Sequence, residues 1–262
     1  MRLTVLGKSP SWEDAGGACS GYLLEANGHS VVIDCGNGVF SKLRRFRDYT
    51  RVDAVLVSHL HADHFLDLIP WAYALTHAPR QQSVPVDRWE GKPEPARPRL
   101  IVPEGAREVF RRVTGAWGPE DLIENAFALE EYKESSEVAI GPLRLDFRSV
   151  PHFTTTFACR VREGDRDIVF GADSGPNDHV VEIGREADLL LLEATLPRPE
   201  REGPRGHLTA AEAGEHAARA RAARLVLTHI SDELDALGAR KAAAAAFGGL
   251  VEVARDGAVF EV

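Results

Sequence analysis

Short apolar runs recur along this chain, and turn residues or segments of helical periodicity separate them. Runs rich in Val, Ile and Leu predict buried strands, whereas the longer amphipathic or Ala-rich segments predict crossover helices. Strands that alternate with helices are typical of a layered α/β protein. The predicted strands are residues 2–6, 21–26, 30–35, 53–58, 100–102, 127–132, 143–150, 153–161, 167–171, 188–194, 224–228, 250–253 and 258–262, and the predicted helices are residues 39–48, 65–77, 104–113, 209–223 and 236–247.

Turn chemistry supports several of these boundaries. Asn27-Gly28 between two apolar runs predicts a hairpin, because both residues accept a positive φ. Thr209 and Glu212 form a capping-box pattern that predicts the start of the Ala-rich helix. The last two strands are expected to pair with each other as a closing hairpin.

One segment concentrates the chemistry of the chain. Residues 58–64, Ser-His-Leu-His-Ala-Asp-His, follow a predicted buried strand directly. Alternate residues of an extended segment point the same way, so His59 and His61 can share one metal ion. As the chain turns into a helix, Asp63 and His64 can face a second ion. Three imidazoles and a carboxylate this close together favour a metal site over a polar loop.

Other candidate ligands stand where predicted strands end. Strands that are joined by helical crossovers present their ends at a common edge, so residues distant in sequence can converge there. The strand-terminal residues are Asp34, His59, His152, Asp173 and His229.

These residues suffice for two divalent cations. Histidine and carboxylate ligands suit Zn²⁺, with Mn²⁺ or Fe²⁺ as alternatives, and water held between two such cations loses a proton near neutral pH. Asp34 is expected to support the histidine loop rather than to bind metal. The expected ligands are His59, His61 and His152 for one cation and Asp63, His64 and His229 for the other, with Asp173 as the bridge.

Composition narrows the class of protein. The 262 residues carry 40 acids and 31 bases, a net charge of −9 that weighs against an extended nucleic-acid footprint. The chain has three dispersed cysteines and neither a signal-peptide pattern nor an apolar span, so a cytoplasmic protein with free thiols and no membrane contact is expected. A single domain over residues 1–262 is predicted, with a Pro-rich segment at about 80–99 that is either a lid or a surface loop.

The metal motif, followed by separated His, Asp and His, resembles the metallo-β-lactamase superfamily. The resemblance implies a four-layer αβ/βα sandwich with a dinuclear site at the edge between its sheets. Asp173 stands where the commonest zinc β-lactamases carry Cys, and His61 stands where flavodiiron oxidoreductases carry Glu. Both departures disfavour those branches.

Three further stretches resemble ribonuclease Z and its phosphodiesterase relatives: residues 34–38, 206–209 and 227–229. In that pattern His207 contacts the scissile phosphate and protonates the leaving alkoxide, and Glu193 could orient its imidazole. Ribonuclease Z grips tRNA with a long arm between the positions that match His152 and Asp173. Here that interval is long enough only for a hairpin. The whole pattern is most similar to short bacterial atypical class II cyclic-nucleotide phosphodiesterases.

The sequence therefore predicts a dinuclear metal-dependent hydrolase that cleaves a small phosphodiester, with a cyclic nucleotide favoured. Metal-bound hydroxide, oriented by Asp63, would attack, and His207 would act as the acid. The alternatives are a ribonuclease Z-like RNA 3′-end endonuclease, a lactone or thioester hydrolase, and a catalytically silent metal-binding module. Relatives are often dimers, so a homodimer is an expectation by analogy.

Overall fold

Two mixed sheets form the centre of the computed structural model, which describes residues 1–200 and 202–262. Within these residues each sheet has seven strands, ordered β14-β1-β2-β3-β4-β5-β6 in the first and β13-β12-β11-β10-β9-β8-β7 in the second. The strands are β1 (Arg2–Gly7), β2 (Gly21–Ala26), β3 (His29–Ile33), β4 (Ala54–Leu56), β5 (Arg99–Pro103), β6 (Ala128–Tyr132), β7 (Val138–Ile140), β8 (Leu143–Val150), β9 (Thr156–Glu163), β10 (Arg166–Phe170), β11 (Leu189–Glu193), β12 (Arg224–Thr228), β13 (Leu250–Val253) and β14 (Val259–Glu261).

Helices cover the outer face of each sheet. The inner faces pack against each other through one apolar core, and each outer face has its own core under helices. Helices α1, α3, α4 and α5 cover the first sheet, and α6, α7 and α8 cover the second. This confirms the predicted four-layer αβ/βα sandwich. The helices are α1 (Val39–Phe46), α2 (Ala62–Phe65), α3 (Leu68–His77), α4 (Ala106–Gly115), α5 (Leu122–Ala126), α6 (Asp178–Ile183), α7 (Ala210–Ala220) and α8 (Ala236–Phe247).

The alternation of side chains along β2 explains the layering. Tyr22 and Leu24 lie in the core between the sheets, whereas Leu23 packs under the helices of the first sheet. Successive side chains of a strand point to opposite faces, so a strand buried on both faces is apolar throughout. The hairpin between β2 and β3 turns at Asn27 and Gly28, both with positive φ, as predicted.

The predicted closing hairpin is wrong. β13 pairs in parallel with β12 at the edge of the second sheet, and β14 pairs antiparallel with β1 at the edge of the first. The intervening turn crosses between the sheets: Ala254 N–H donates to Leu227 O and Gly257 N–H donates to Val5 O. The two strands therefore make their backbone hydrogen bonds at the edges of different sheets. Local turn residues could not distinguish this arrangement from a hairpin.

The Pro-rich segment folds against the outer face of the first sheet's helical layer. Arg80 donates to Asp48, and its guanidinium lies over the rings of Tyr49 and Trp89. Val86 and Trp89 form an isolated bridge within the segment. No helix among the described residues has the length and apolar character needed to cross a bilayer.

Candidate metal centre and active site

Three histidines converge where β4 and β8 end. His59 Nε2 lies 3.1 Å from His61 Nδ1, and His152 Nε2 lies 3.0 Å from the same atom. His59 is fully buried, whereas the other two are only partly buried. The loop after β4 carries His59 and His61, and the segment after β8 carries His152, so the two sheets contribute jointly to this group.

A second group of four residues adjoins the first and is buried. Asp173 Oδ2 lies 3.3 Å from both His64 Nε2 and His229 Nε2, and 4.0 Å from His59 Nε2. Asp63 Oδ2 lies 3.2 Å from His229 Nε2 and 3.3 Å from His64 Nε2. Asp173 therefore faces histidines of both groups, the arrangement expected of the predicted bridging ligand. All seven predicted metal ligands lie in these two groups: His59, His61 and His152 in one, and Asp63, His64, Asp173 and His229 in the other.

The hydrogen bonds around the first group leave its nitrogens suited to a cation. His152 Nδ1 donates to Gly206 O at 2.8 Å, which leaves a lone pair on Nε2. Ser58 Oγ donates to Asp34 and accepts from His59 Nδ1, so His59 Nε2 also carries a lone pair. Both lone pairs point at His61 Nδ1, which can hold at most one proton. A cation would satisfy all three nitrogens.

The second group has the same surplus of lone pairs. His64 Nδ1 donates to Asp34 Oδ2 at 2.7 Å, and His229 Nδ1 lies 2.8 Å from Thr195 Oγ1. Each imidazole therefore turns its Nε2 toward the carboxylates of Asp63 and Asp173, and His64 Nε2 is a buried atom without a hydrogen-bond partner among the described residues. Nitrogen and oxygen lone pairs that face one another in a buried space indicate a site built for a divalent cation.

Asp34 organises the first half of the site, as predicted. This fully buried carboxylate accepts from the Ser58 backbone N–H at 2.7 Å, from Ser58 Oγ at 2.9 Å and from His64 Nδ1. It thereby fixes the ring of His64 directly and that of His59 through Ser58.

Glu193 organises the second half. Its Oε1 accepts from His207 Nδ1 at 2.8 Å and from the Ser174 backbone N–H at 2.9 Å. Its Oε2 accepts from Thr195 Oγ1 at 2.6 Å, and this hydroxyl in turn contacts His229 Nδ1. One buried carboxylate thus connects His207 with His229 and with the segment next to Asp173. The sequence predicted the contact between Glu193 and His207. It did not predict the hydrogen bonds that Ser174 and Thr195 donate to Glu193.

Burial and neighbouring charges give the histidines of the site different pKa values. Burial lowers the pKa of His59 far below its ordinary value and that of His152 to about 4, so both stay neutral and able to bind a cation. Burial would also lower the pKa of His207, but the hydrogen bond and the charge of Glu193, with Asp173, outweigh burial and raise it to about 9. His207 therefore carries a proton at neutral pH.

The buried carboxylates keep a negative field in the second group. Burial would raise the pKa of Asp63, but the neighbouring imidazoles of His229 and His64 hold it well below its ordinary value. Burial would lower the pKa of His64, but Asp173 and Asp34 raise it well above. Asp173 and Asp34 therefore favour a proton on His64. A bound divalent cation would neutralise the same negative charges and replace that proton.

Backbone strain marks the same positions. Asp34, Ala172 and His229 have φ values of 58°, 53° and 50°, in the left-handed region that non-glycine residues rarely occupy. Asp34 and His229 directly follow the last residues of β3 and β12, and Ala172 lies two residues beyond the end of β10. Such strain persists where surrounding contacts determine the conformation, and it is common at functional sites.

Comparison with known proteins gives the family. Residues 29–230 match the beta-lactamase superfamily domain. The chain is 30% identical over 266 residues to the probable metallo-hydrolase YhfI of Bacillus subtilis (strain 168), with 100% of each chain covered. It also matches the crystal structure of YhfI with a TM-score of 0.83 and 27% identity over 99% of this chain and 98% of that one.

Two further relatives are similar over most of their length. The uncharacterized protein Rv1339 of Mycobacterium tuberculosis (strain ATCC 25618 / H37Rv) is 34% identical over 237 residues, 88% of this chain and 81% of that one. Ribonuclease Z of Myxococcus xanthus (strain DK1622) is 30% identical over 301 residues, 100% of this chain and 98% of that one. The chain therefore belongs to the beta-lactamase superfamily and is a metallo-hydrolase.

Proposed function

We propose that this protein is a phosphodiesterase that hydrolyses a small phosphodiester, with a cyclic nucleotide as the favoured substrate. The observation that carries the proposal is the position of His207. This imidazole is held by a buried carboxylate beside the two ligand groups, with its ring centre 5.0 Å from that of His152 and 5.8 Å from that of His229. A protonated acid beside a cation site suits cleavage of a phosphoester bond, because it can give its proton to the leaving oxygen.

Two divalent cations would occupy the two ligand groups, with Asp173 between them. Imidazole and carboxylate ligands favour Zn²⁺, and Mn²⁺ or Fe²⁺ would also fit this donor set. When bound, the cations would make water acidic enough to act as a nucleophile and would neutralise charge on the phosphoryl oxygens.

His207 supplies the proton for the leaving oxygen. Its Nδ1–H is donated to Glu193, so Nε2 carries the proton that is free to move. Asp63 is the matching acceptor: its low pKa keeps it ionised, and an ionised carboxylate can orient the attacking water. The two residues come from different halves of the molecule: Asp63 lies on α2, whereas His207 lies in the segment before α7.

Two observations support a small substrate. The interval between His152 and Asp173 is a plain β9–β10 hairpin, with Arg166 opposite Glu163, and offers no arm to grip a folded RNA. The net charge of −9 disfavours a long phosphate backbone. A ribonuclease Z-like RNA 3′-end endonuclease is the second candidate, because one relative of 30% identity bears that name.

The test is the rate of metal-reconstituted protein on 3′,5′-cyclic AMP and on precursor tRNA, before and after dialysis against a chelator. We expect cleavage of cyclic AMP that is lost with the metal, and little cleavage of the tRNA. The opposite preference would select the endonuclease.

His207→Ala should reduce kcat on cyclic AMP by about 10²–10⁴-fold, the usual contribution of a positioned acid, with metal content unchanged. His77→Ala is the matched control, because His77 is an exposed histidine at the end of α3. A wild-type rate for His207→Ala would refute the assigned acid.

A further inference from the structure

A large aromatic side chain stands exposed at the mouth of the site. Phe153 is 57% exposed, and it follows His152 directly in the sequence. Its ring centre lies 5.1 Å from that of His152 and 6.0 Å from that of His207. The ring therefore borders a predicted metal ligand and the proposed acid at the same time, and much of its surface faces solvent.

The backbone of Gly206 supports one side of the Phe153 ring. A Cβ atom on Gly206 would come within 2.2 Å of Phe153 Cε2, so the ring packs directly on the Gly206 backbone, and glycine is the residue that permits this approach. The carbonyl of Gly206 also accepts the hydrogen bond from His152 Nδ1 at 2.8 Å. One short stretch of backbone thus supports the aromatic ring, orients His152 and leads into His207.

We propose that Phe153 is a stacking platform for the base of a nucleotide substrate, an inference that rests on the proposed phosphodiesterase function. His207 gives its proton to the leaving oxygen, so the sugar that carries this oxygen lies beside His207. The base on that sugar then reaches the neighbouring ring of Phe153. Stacking on an aromatic ring engages the face of a base and not its hydrogen-bonding edges.

Two consequences follow for specificity. The protein binds phosphodiesters with a flat aromatic base more tightly than those without one. It discriminates weakly among bases, with purines favoured over pyrimidines because of their larger stacking surface.

The experiment compares wild type, Phe153→Ala and Phe153→Trp, all loaded with metal. Calorimetric titration with 5′-AMP and with ribose 5-phosphate measures the contribution of the base without any turnover. Steady-state kinetics on 3′,5′-cyclic AMP separate KM from kcat. Phe46→Ala is the matched control, because Phe46 is also exposed, at 43%, but lies at the end of α1.

We expect Phe153→Ala to weaken AMP binding and to raise KM for cyclic AMP by about tenfold or more, the size of one base–aromatic stack. Ribose 5-phosphate binding, metal content and kcat should stay at the wild-type level, and Phe153→Trp should restore the affinity for AMP. The control variant should match wild type throughout.

Three results would contradict the proposal that Phe153 stacks on the base of the substrate. Wild type could bind AMP no better than ribose 5-phosphate, Phe153→Ala could weaken both ligands equally, or it could lose metal or kcat instead of affinity. The last two would make Phe153 a support for its neighbouring histidines. A wild-type protein that cleaves no phosphodiester would instead refute the proposed function, and the two titrations would still test the ring on their own.

Discussion

Besides the predicted ligands Asp63 and Asp173, each half of the molecule contributes one buried carboxylate that supports the site, and the two differ in what they hold. Asp34, after β3, accepts hydrogen bonds from Ser58 and His64 and so fixes predicted metal ligands of the first half. Glu193, at the end of β11, contacts the proposed acid His207 and reaches a ligand only through Thr195. In the proposed mechanism Asp34 would thus serve cation binding alone, whereas Glu193 would serve both cation binding and proton transfer.

We therefore expect substitution of Asp34 to weaken metal binding and substitution of Glu193 to lower mainly the turnover rate. A carboxylate that only orients ligands acts through the tightness of metal binding. A carboxylate that holds a protonated imidazole acts on the chemical step as well. Substitutions at Asp34 and Glu193 test this division, with the larger effect expected at Asp34. A third substitution, at Thr209, tests a neighbouring helix cap and should have the smallest effect.

Asp34→Asn should weaken metal binding by about 10–100-fold. The amide N–H₂ of asparagine cannot accept from His64 Nδ1, so the ring proton moves to Nε2, where it faces the cation site. Activity should fall with the loss of metal and recover in part at high metal concentration. Metal titration followed by calorimetry or by activity measures the change.

Asp67→Asn is the matched control for Asp34→Asn. Asp67 is also a carboxylate of the first half, but it accepts the backbone N–H of Phe40 at 2.8 Å, a contact that lies outside the two ligand groups. Equal metal affinity in wild type and Asp34→Asn would remove the distinction between the halves.

Glu193→Gln should lower kcat by roughly tenfold and leave the bound metal nearly unchanged. The glutamine carbonyl can still accept from His207 and Ser174, and the Thr195 hydroxyl can turn to donate to His229 O, which lies 3.0 Å away. The charge that stabilises protonated His207 is lost, so the pKa of His207 falls and a smaller fraction of it carries the proton at neutral pH, without removal of the ring. The assay is kcat on the phosphodiester, alongside metal analysis of the same sample. A loss of metal as large as that of Asp34→Asn would show that both carboxylates serve the same purpose.

Thr209→Ala should have the smallest effect, a loss of about 1 kcal/mol in the free energy of unfolding, because it removes the N-cap of α7. Thr209 and Glu212 form a reciprocal capping box two residues after His207. For a chain of this length the expected fall in Tm is about 2–4 °C. Thr209→Ser keeps the cap and serves as the control. A much larger loss of activity than of stability would mean that the helix start also positions His207.

The same contrast between halves explains what the sequence could predict. The ligands of the first half lie within residues 59–64, so their shared face follows from local backbone geometry. His152, Asp173 and His229 were found because strand ends meet at one edge. The contacts of Ser174 with Glu193 and of Thr195 with His229 escaped prediction, because they depend on β10 and β12 both being neighbours of β11. The pairing partners of β13 and β14 were not predicted for a related reason. The local sequence of a strand does not specify which edge of which sheet it will join.

The pairing of β14 with β1 has a consequence for biosynthesis. Leu3 pairs with Phe260, so the outer edge of the first sheet stays uncovered until the ribosome has made every strand of the second. Contacts of such long sequence separation form slowly. An uncovered edge is meanwhile a template for another nascent polypeptide. The risk of aggregation during translation is therefore concentrated at β1, and it ends when the last strand docks.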